Sequence, residues 1–179
     1  MKVQTKLHKL ILTALFLALA LVLPFLTGQI PEIGSMLCPL HIPVLLCGFV
    51  CGWPWGLAVG FVAPLFRSLL LGMPPVFPTA VCMAFELAAY GAVAGLMYRL
   101  LPRKKPFIYC ALLLAMLIGR LVWGLAMAVC MGLSGSTFTL SAFAAGAVLN
   151  AVPGILLQLA LIPLLVMLFE KTRYLRPQA

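Results

Sequence analysis

Long apolar segments run along almost the whole chain, separated by short breaks rich in proline, glycine, serine or basic residues. An α-helix needs about 20 mainly apolar residues to cross a bilayer. The pattern therefore predicts an all-α integral membrane protein, folded as a compact bundle of six transmembrane helices. The predicted spans cover residues 10–26, 41–51, 55–71, 77–100, 107–133 and 140–169.

Two of these spans depart from a regular crossing. The second, 41–51, is too short to cross the hydrocarbon layer cleanly, so we expect it to be tilted, broken or partly re-entrant. Its length leaves open whether it crosses fully. The sixth contains two prolines, Pro153 and Pro163.

Composition supports the membrane assignment. Hydrophobic residues make up 65% of the 179 residues and charged residues 8%, whereas a soluble domain is about half apolar and a quarter charged. The breaks are short, so we expect one transmembrane domain over residues 1–179 and no extramembrane domain. The apolar run that ends at Leu26 lacks a small-residue cleavage site, and we interpret it as the first span and not as a signal peptide.

The basic residues predict the orientation of the bundle. The loops 27–39, 72–78 and 134–139 contain no Lys or Arg. Under a six-span arrangement ten of the twelve basic residues lie on the other side, which predicts that both termini are cytoplasmic. An odd number of spans would scatter them. The net charge of +9 thus indicates membrane orientation, with no nucleic acid expected as a partner. The ten residues are Lys2, Lys6, Lys9, Arg99, Arg103, Lys104, Lys105, Lys171, Arg173 and Arg176.

Small residues recur at intervals of four in several spans. Rows of this kind let helix backbones approach closely and pack without a hydrophobic driving force in lipid. We interpret most of them as ordinary bundle packing. The rows are Gly48, Gly52, Gly56 and Gly60, then Gly91 and Gly95, and then Gly124, Ala128 and Gly132.

Three charged residues, Arg67, Glu86 and Arg120, lie inside predicted spans. A charge near the bilayer midplane costs at least about 2.5–3.5 kcal/mol, so it persists only with a partner, a cavity or a ligand. In the predicted topology these residues lie at the midplane or nearer the outer face, as do His41 and Asn150. We expect the five to converge in one outward-facing cavity that binds a polar ligand.

Each residue near this cavity suggests a role. The planar guanidinium of Arg120 is suited to clamping a carboxylate. Trp123, three residues later on the same helical face, is placed to stack on a ring or cover an apolar part. Glu86 is suited to accepting from an amine or hydroxyl. The predicted substrate-binding residues are Glu86, Tyr90, Arg120, Trp123, Asn150, His41 and Arg67.

Other interpretations of the same residues stay open. Glu86 and Arg120 can form a purely structural ion pair, because buried pairs also occur as packing devices. A lone His41 near a helix start is often a structural or interfacial group. Arg67 is shallow enough to extend its side chain to the outer surface.

Several motifs of catalysis are absent from the sequence, which therefore favours binding over chemistry. It contains no GxxxxGK[ST] loop for ATP and no HExxH metal motif. The serines have no histidine in helical register, so a serine hydrolase is poorly supported. Cys47 and Cys51 are four residues apart on one helix, a spacing compatible with a metal site. We interpret them as small buried hydrophobes. We expect neither an enzyme nor a resident cofactor or metal, and transport would then need an external energy source.

The predicted topology and three sequence stretches resemble the substrate-binding S components of energy-coupling factor (ECF) transporters. Ala14 and Ala18 in the first span are similar to the family's AxxxA signature. The stretch 39–60 resembles its loop into a glycine-rich second and third helix. The stretches 72–80 and 83–91 resemble one of its vitamin-uptake branches.

This resemblance implies a mechanism and a set of partners. Ala14 and Ala18 would dock onto a membrane T subunit, and two cytosolic ATPase subunits would drive release of the substrate. The outer loops and outer halves of the fourth to sixth helices would enclose a vitamin-like micronutrient in a bacterial plasma membrane. The substrate stays open among pantothenate, nicotinate, biotin and others, as does a dedicated or shared energising module. The positions carried over from the family are Glu86, Arg120, Trp123 and Asn150.

Two alternatives belong to other classes of protein. One is a six-span membrane scaffold of the rod-shape-determinant type, which would have no ligand. The other is an intramembrane enzyme, which would need a second catalytic carboxylate, histidine or nucleophile near Glu86 or Arg120. The sequence offers no clear candidate for that group.

Overall fold

A computed structural model describes residues 6–27, 36–102, 104–146 and 151–171, and the regular elements in these ranges are all helical. Within these ranges, five helices are long and apolar enough to cross a membrane. The elements are α1 (Lys6–Val22), a 3-10 helix (Leu23–Thr27), α2 (His41–Cys51), α3 (Trp53–Leu71), an irregular helical turn (Val76–Ala80), α4 (Val81–Leu100), α5 (Lys105–Leu133), α6 (Leu140–Ala144) and α7 (Val152–Lys171).

Helix α2 has the bounds that the sequence predicts, and all 11 of its residues are buried. At about 1.5 Å per residue it extends for roughly half the thickness of the hydrocarbon layer. The prediction that this segment is too short for a clean crossing is therefore confirmed. Four helices, α1, α3, α4 and α7, pack against it, so α2 contributes to the core of the bundle and not to its lipid-facing surface.

The fourth predicted span begins with an irregular turn. Phe77 is extended, with φ −121° and ψ 136°, inside the turn Val76–Ala80. The ring of a proline disfavours helical geometry in the residue before it, and Pro78 follows Phe77. The peptide bonds before Pro74 and Pro78 are both cis. Regular helix starts only at Val81, four residues later than the sequence suggests.

Two helices begin within the predicted sixth span, 140–169. The structure has the short helix α6, and then α7, which starts at Val152. Residues 147–150, between them, lie outside the described ranges. Pro153 explains the start of α7, because proline lacks an N–H group and is tolerated in the first turn of a helix but not in its interior.

Helix α4 is the centre of the bundle and packs against α2, α3 and α5. Its glycines allow backbone contact with the first two of these helices. A Cβ atom built on Gly91 would lie 2.2 Å from the carbonyl oxygen of Gly56, and one built on Gly48 would lie 2.4 Å from that of Gly91. One built on Gly60 would lie 2.2 Å from the carbonyl oxygen of Leu87. The predicted packing role is confirmed for Gly48, Gly56, Gly60, Gly91 and Gly95, whereas nothing lies within 4 Å of a Cβ atom built on Gly132.

Helix α1 lies against α2 and α3 and leaves one broad face uncovered. It buries Phe16 and Ala20. Ala14 and Ala18 lie on its exposed face, together with large apolar residues that suit lipid or another membrane protein. This exposed face includes Leu7, Leu10, Ile11, Leu15, Leu19 and Val22.

Candidate functional site

Glu86 on α4 is the centre of a buried charge cluster. Its Oε1 atom lies 2.9 Å from Nη1 of Arg120 on α5 and 3.4 Å from Nε2 of His41 at the start of α2. These are ion-pair distances, and the shared oxygen has no hydrogen bond of good geometry among the described residues. Glu86 and His41 are each 2% exposed. Helices α2, α4 and α5 thus bring an imidazole and a guanidinium to one carboxylate oxygen.

Helix packing places these groups together. Glu86 and Tyr90 are one turn apart on α4 and both face inward. The Tyr90 ring lies edge-on to the His41 ring, with 4.9 Å between centroids. A Cβ atom at Gly119 would be 2.2 Å from Cδ2 of Tyr90. Because Gly119 has no side chain, the Tyr90 ring fits against α5 beside Arg120, and the two helices come close enough for the ion pair.

The guanidinium of Arg120 is incompletely satisfied. Its Nη1 faces Glu86, and its Nη2 donates to Sγ of Cys38 at 3.6 Å. Its Nε has no hydrogen-bond partner among the described residues. Burial raises the pKa of the Cys38 thiol, so its sulfur is neutral and a weak acceptor. Carboxylates bind the edge formed by Nε and Nη2 through two parallel hydrogen bonds. Among the described residues, the hydrogen bond from Nη2 is the weak one to this sulfur, and the Tyr90 hydroxyl interacts with the same guanidinium.

Trp123, about one helical turn after Arg120 on α5, lies in an aromatic cluster. Its ring stacks on that of Phe143, at 6.2 Å and 29°, and meets the Phe138 ring edge-on at 5.9 Å. Phe143 belongs to α6, and Phe138 belongs to the segment before it. A Cβ atom at Gly124 would lie 2.3 Å from Cε2 of Phe143. The cluster packs α6 against the C-terminal half of α5, about one helical turn beyond Arg120.

Arg67 has different neighbours from the other predicted site residues. It is 4% exposed. Its Nη1 donates to the carbonyl oxygen of Leu21 at 2.9 Å, and its Cζ lies 5.5 Å from the centroid of the Phe25 ring. These contacts attach α3 to the end of α1. A ligand-binding role for Arg67 thus depends on the sequence argument alone. Asn150 lies outside the described residues.

Two buried residues were not among the sequence-based candidates. Cys38 contacts Arg120, and its carbonyl oxygen accepts from the backbone N–H of His41 at 3.0 Å. Gln158 on α7 is 2% exposed, and α7 packs against α2 and α5. The sequence could have identified Gln158, because burying an unpartnered amide side chain inside an apolar span costs free energy. Nothing in the sequence singled out Cys38 from the other five cysteines.

The described part of the chain contains no group of three or more His, Cys, Asp or Glu side chains able to hold a metal ion. The cluster does contain a carboxylate, an imidazole and a guanidinium with unused hydrogen-bonding capacity. Such a set suits the binding of a polar molecule.

A helical membrane bundle with a charged cluster buried between its central helices is the class of protein that this fold and site define. Within that class, the family model for the ECF transporter substrate-specific component matches residues 8–167. The chain belongs to this family. No curated protein and no solved structure matched it. Members of the family are membrane-embedded substrate-binding subunits and not enzymes, and they associate with ECF T and ATPase modules.

Proposed function

We propose that this S component binds a small, water-soluble micronutrient that carries a carboxylate, such as pantothenate, nicotinate or biotin. The observation that carries the proposal is the incomplete pairing of Arg120. Among the described residues, Nε has no hydrogen-bond partner and Nη2 donates to a thiol sulfur at 3.6 Å. A ligand carboxylate would replace this weak contact with two charge-assisted hydrogen bonds.

The remaining residues have supporting roles in this proposal. Glu86 and Tyr90 accept from or donate to polar groups of the ligand, and Asn150 supplies a further polar contact. Trp123 packs on the apolar part of the ligand, with the Phe138 and Phe143 rings holding its orientation. His41 borders the site through Glu86. Arg67, which contacts α1, contributes to the bundle more than to the ligand.

The proposed membrane arrangement is a single domain of six spans in a bacterial plasma membrane, with both termini cytoplasmic. The one-sided distribution of Lys and Arg supports it. In this arrangement α2 supplies a short second span and α7 most of the sixth. His41 then lies toward the outside, and the charge cluster is in the outer half of the bundle.

The proposed docking surface for the T subunit is the exposed face of α1 around Ala14 and Ala18. Small residues allow two helices to approach closely. Both alanines lie on the uncovered side of α1, away from its contacts with α2 and α3. Two cytosolic ATPase subunits would then energise substrate release through that T subunit.

A second candidate is a neutral micronutrient bound beside a structural Glu86–Arg120 pair. The observation in its favour is the 2.9 Å ion pair between Oε1 of Glu86 and Nη1 of Arg120. In that case Arg120 is already neutralised by Glu86 and gains little from an anion.

Ligand screening distinguishes these candidates. The purified protein would be tested by thermal shift and by calorimetry against B vitamins and their precursors. Each carboxylate would be paired with its neutral counterpart, for example pantothenate with pantothenol and nicotinate with nicotinamide. We expect stabilisation and tight binding by a carboxylate and not by its counterpart. Equal binding of both members of a pair would favour the neutral-ligand alternative.

A further inference from the structure

We infer that binding of a carboxylate at Arg120 is accompanied by the uptake of one proton by His41, so that the site binds the acid more tightly at lower pH. This inference rests on the proposed function, because it concerns the same site and the same class of ligand. Beyond the proposed function, it couples ligand binding to the uptake of a proton and assigns that proton to the His41 side chain.

The geometry around Glu86 supports this coupling. Arg120 Nη1 and His41 Nε2 approach the same oxygen, Oε1 of Glu86, at 2.9 and 3.4 Å. Neither imidazole nitrogen of His41 has a hydrogen-bond partner among the described residues. His41 is therefore a buried group with two unused polar atoms, one of which already lies beside the carboxylate.

Charge balance then gives the direction of the proton. With a neutral His41, the cluster has one positive charge on Arg120 and one negative charge on Glu86. A bound carboxylate adds a second negative charge in a site where Glu86 is 2% exposed. An uncompensated buried charge is costly. One proton on the imidazole restores neutrality.

The same proton also gives His41 a second N–H group with which to contact Glu86. An imidazolium donates from both ring nitrogens, whereas a neutral imidazole donates from one. A protonated His41 would donate from Nε2 to Glu86 and take over part of the role of Arg120. The guanidinium would then be free to turn toward the ligand. When the ligand leaves, Arg120 returns to Glu86 and the proton returns to water.

The titratable groups other than His41 do not compensate the charge of the bound carboxylate. On α4, Glu86 and Tyr90 face His41, and Arg120 on α5 reaches it through Glu86. On the remaining elements packed against α2, the described titratable groups contact other residues or lie at helix ends away from His41. Lys6 and His8 lie beside Lys9 at the start of α1, and Lys171 follows Glu170 at the end of α7. Arg67 on α3 contacts Leu21, Glu170 on α7 accepts from Tyr98, and Lys9 on α1 interacts with Cys51 at the far end of α2. Cys38, before α2, is a thiol that can only lose a proton.

The consequence is a pH dependence with a defined sign. The complex holds one proton more than the free site, so raising the pH opposes binding. By linkage, uptake of one proton lowers the association constant about tenfold for each pH unit over the range in which the proton is taken up. A neutral counterpart of the ligand brings no charge and takes up no proton.

Calorimetry in buffers of different ionisation enthalpy measures this proton directly. Pantothenate, nicotinate and biotin would each be titrated into the detergent-solubilised protein in phosphate and in Tris, and the acid that binds would be used further. The expected uptake is about one proton for that acid and none for its neutral counterpart. Binding of an acid without proton uptake would overturn this inference and leave the proposed function intact. Failure of all three acids to bind would overturn the proposed substrate class and this inference together.

Two variants test the assignment to His41. In His41→Gln, the uptake should disappear, and the affinity for the acid should become independent of pH and at least about tenfold weaker than in the wild type near pH 6. In Glu86→Gln, the uptake should also disappear, because Arg120 alone then balances the ligand. Size-exclusion profiles would verify that both variants are folded. Uptake that persists in His41→Gln but not in Glu86→Gln would assign the proton to Glu86 and overturn the inference.

Discussion

Glu86 of α4 and Arg120 of α5 form an ion pair, with 2.9 Å between Oε1 and Nη1, in the interior of a bundle with few charges. The sequence has three acidic residues in all, and one of them is used here. The pair is asymmetric, because the Glu86 side chain is 2% exposed and that of Arg120 is 14% exposed. Arg120 is therefore the more accessible partner for an incoming anion.

Arg120→Gln should greatly weaken binding of the carboxylate ligand. The loss of a charge-assisted contact in a dry site costs about 2–5 kcal/mol, or roughly 30- to several-thousand-fold in affinity. Calorimetry measures the effect. The control is Arg67→Gln, which removes the same charge from a residue that contacts Leu21. Unchanged affinity in Arg120→Gln would favour the structural ion pair.

Ala14→Trp combined with Ala18→Trp should abolish co-purification with the T subunit and preserve substrate binding. Bulky rings on the exposed face of α1 would keep the two helices apart. A matched control is Leu117→Trp combined with Leu121→Trp, also four residues apart, at positions 60% and 57% exposed on α5. If the α1 double variant still co-purifies, the docking surface lies elsewhere.

Cysteine labelling in intact cells tests the orientation. In a background with Cys110→Ser, which removes the exposed native cysteine, Ser136→Cys should react with an impermeant maleimide from outside. Lys104→Cys should react only after the membrane is permeabilised. Both positions are exposed in the fold, so the membrane alone decides the difference. External labelling of position 104 would refute the arrangement with cytoplasmic termini.

Gly91→Ala should destabilise the bundle. Its new Cβ atom would lie 2.2 Å from the carbonyl oxygen of Gly56, and backbone cannot move aside as a flexible side chain can. Overpacking of this kind typically costs about 1–3 kcal/mol. Thermal unfolding in detergent would show a lower midpoint. Gly132→Ala serves as the control, since nothing lies within 4 Å of a Cβ atom there. Equal midpoints for both variants would contradict the packing argument.

Much of the fold could be predicted from local pattern. The membrane class follows from composition and the length of the apolar runs, and the bounds of α2 were predicted correctly. The start of α4 was misplaced by four residues. The error occurred beside Pro78, whose local effect was masked by the continuous hydrophobicity around it.

The candidate site was predictable only in part. The sequence identifies Glu86 and Arg120, because intramembrane charges are costly and scarce. The position of each residue along its predicted span also gives its approximate depth in the membrane. It cannot give the rotation of one helix against another, which decides whether two side chains at similar depth meet.

The sequence by itself therefore determined a helical membrane protein with charges in its interior, since hydrophobic length and charge cost are local properties. The tertiary structure alone decided that Glu86 meets both Arg120 and His41, that Cys38 lies at the open edge of Arg120, and that Arg67 contacts α1. These partnerships depend on the close approach of α4 to its neighbours through glycine. That approach is set by the packing of the whole bundle and not by any one segment.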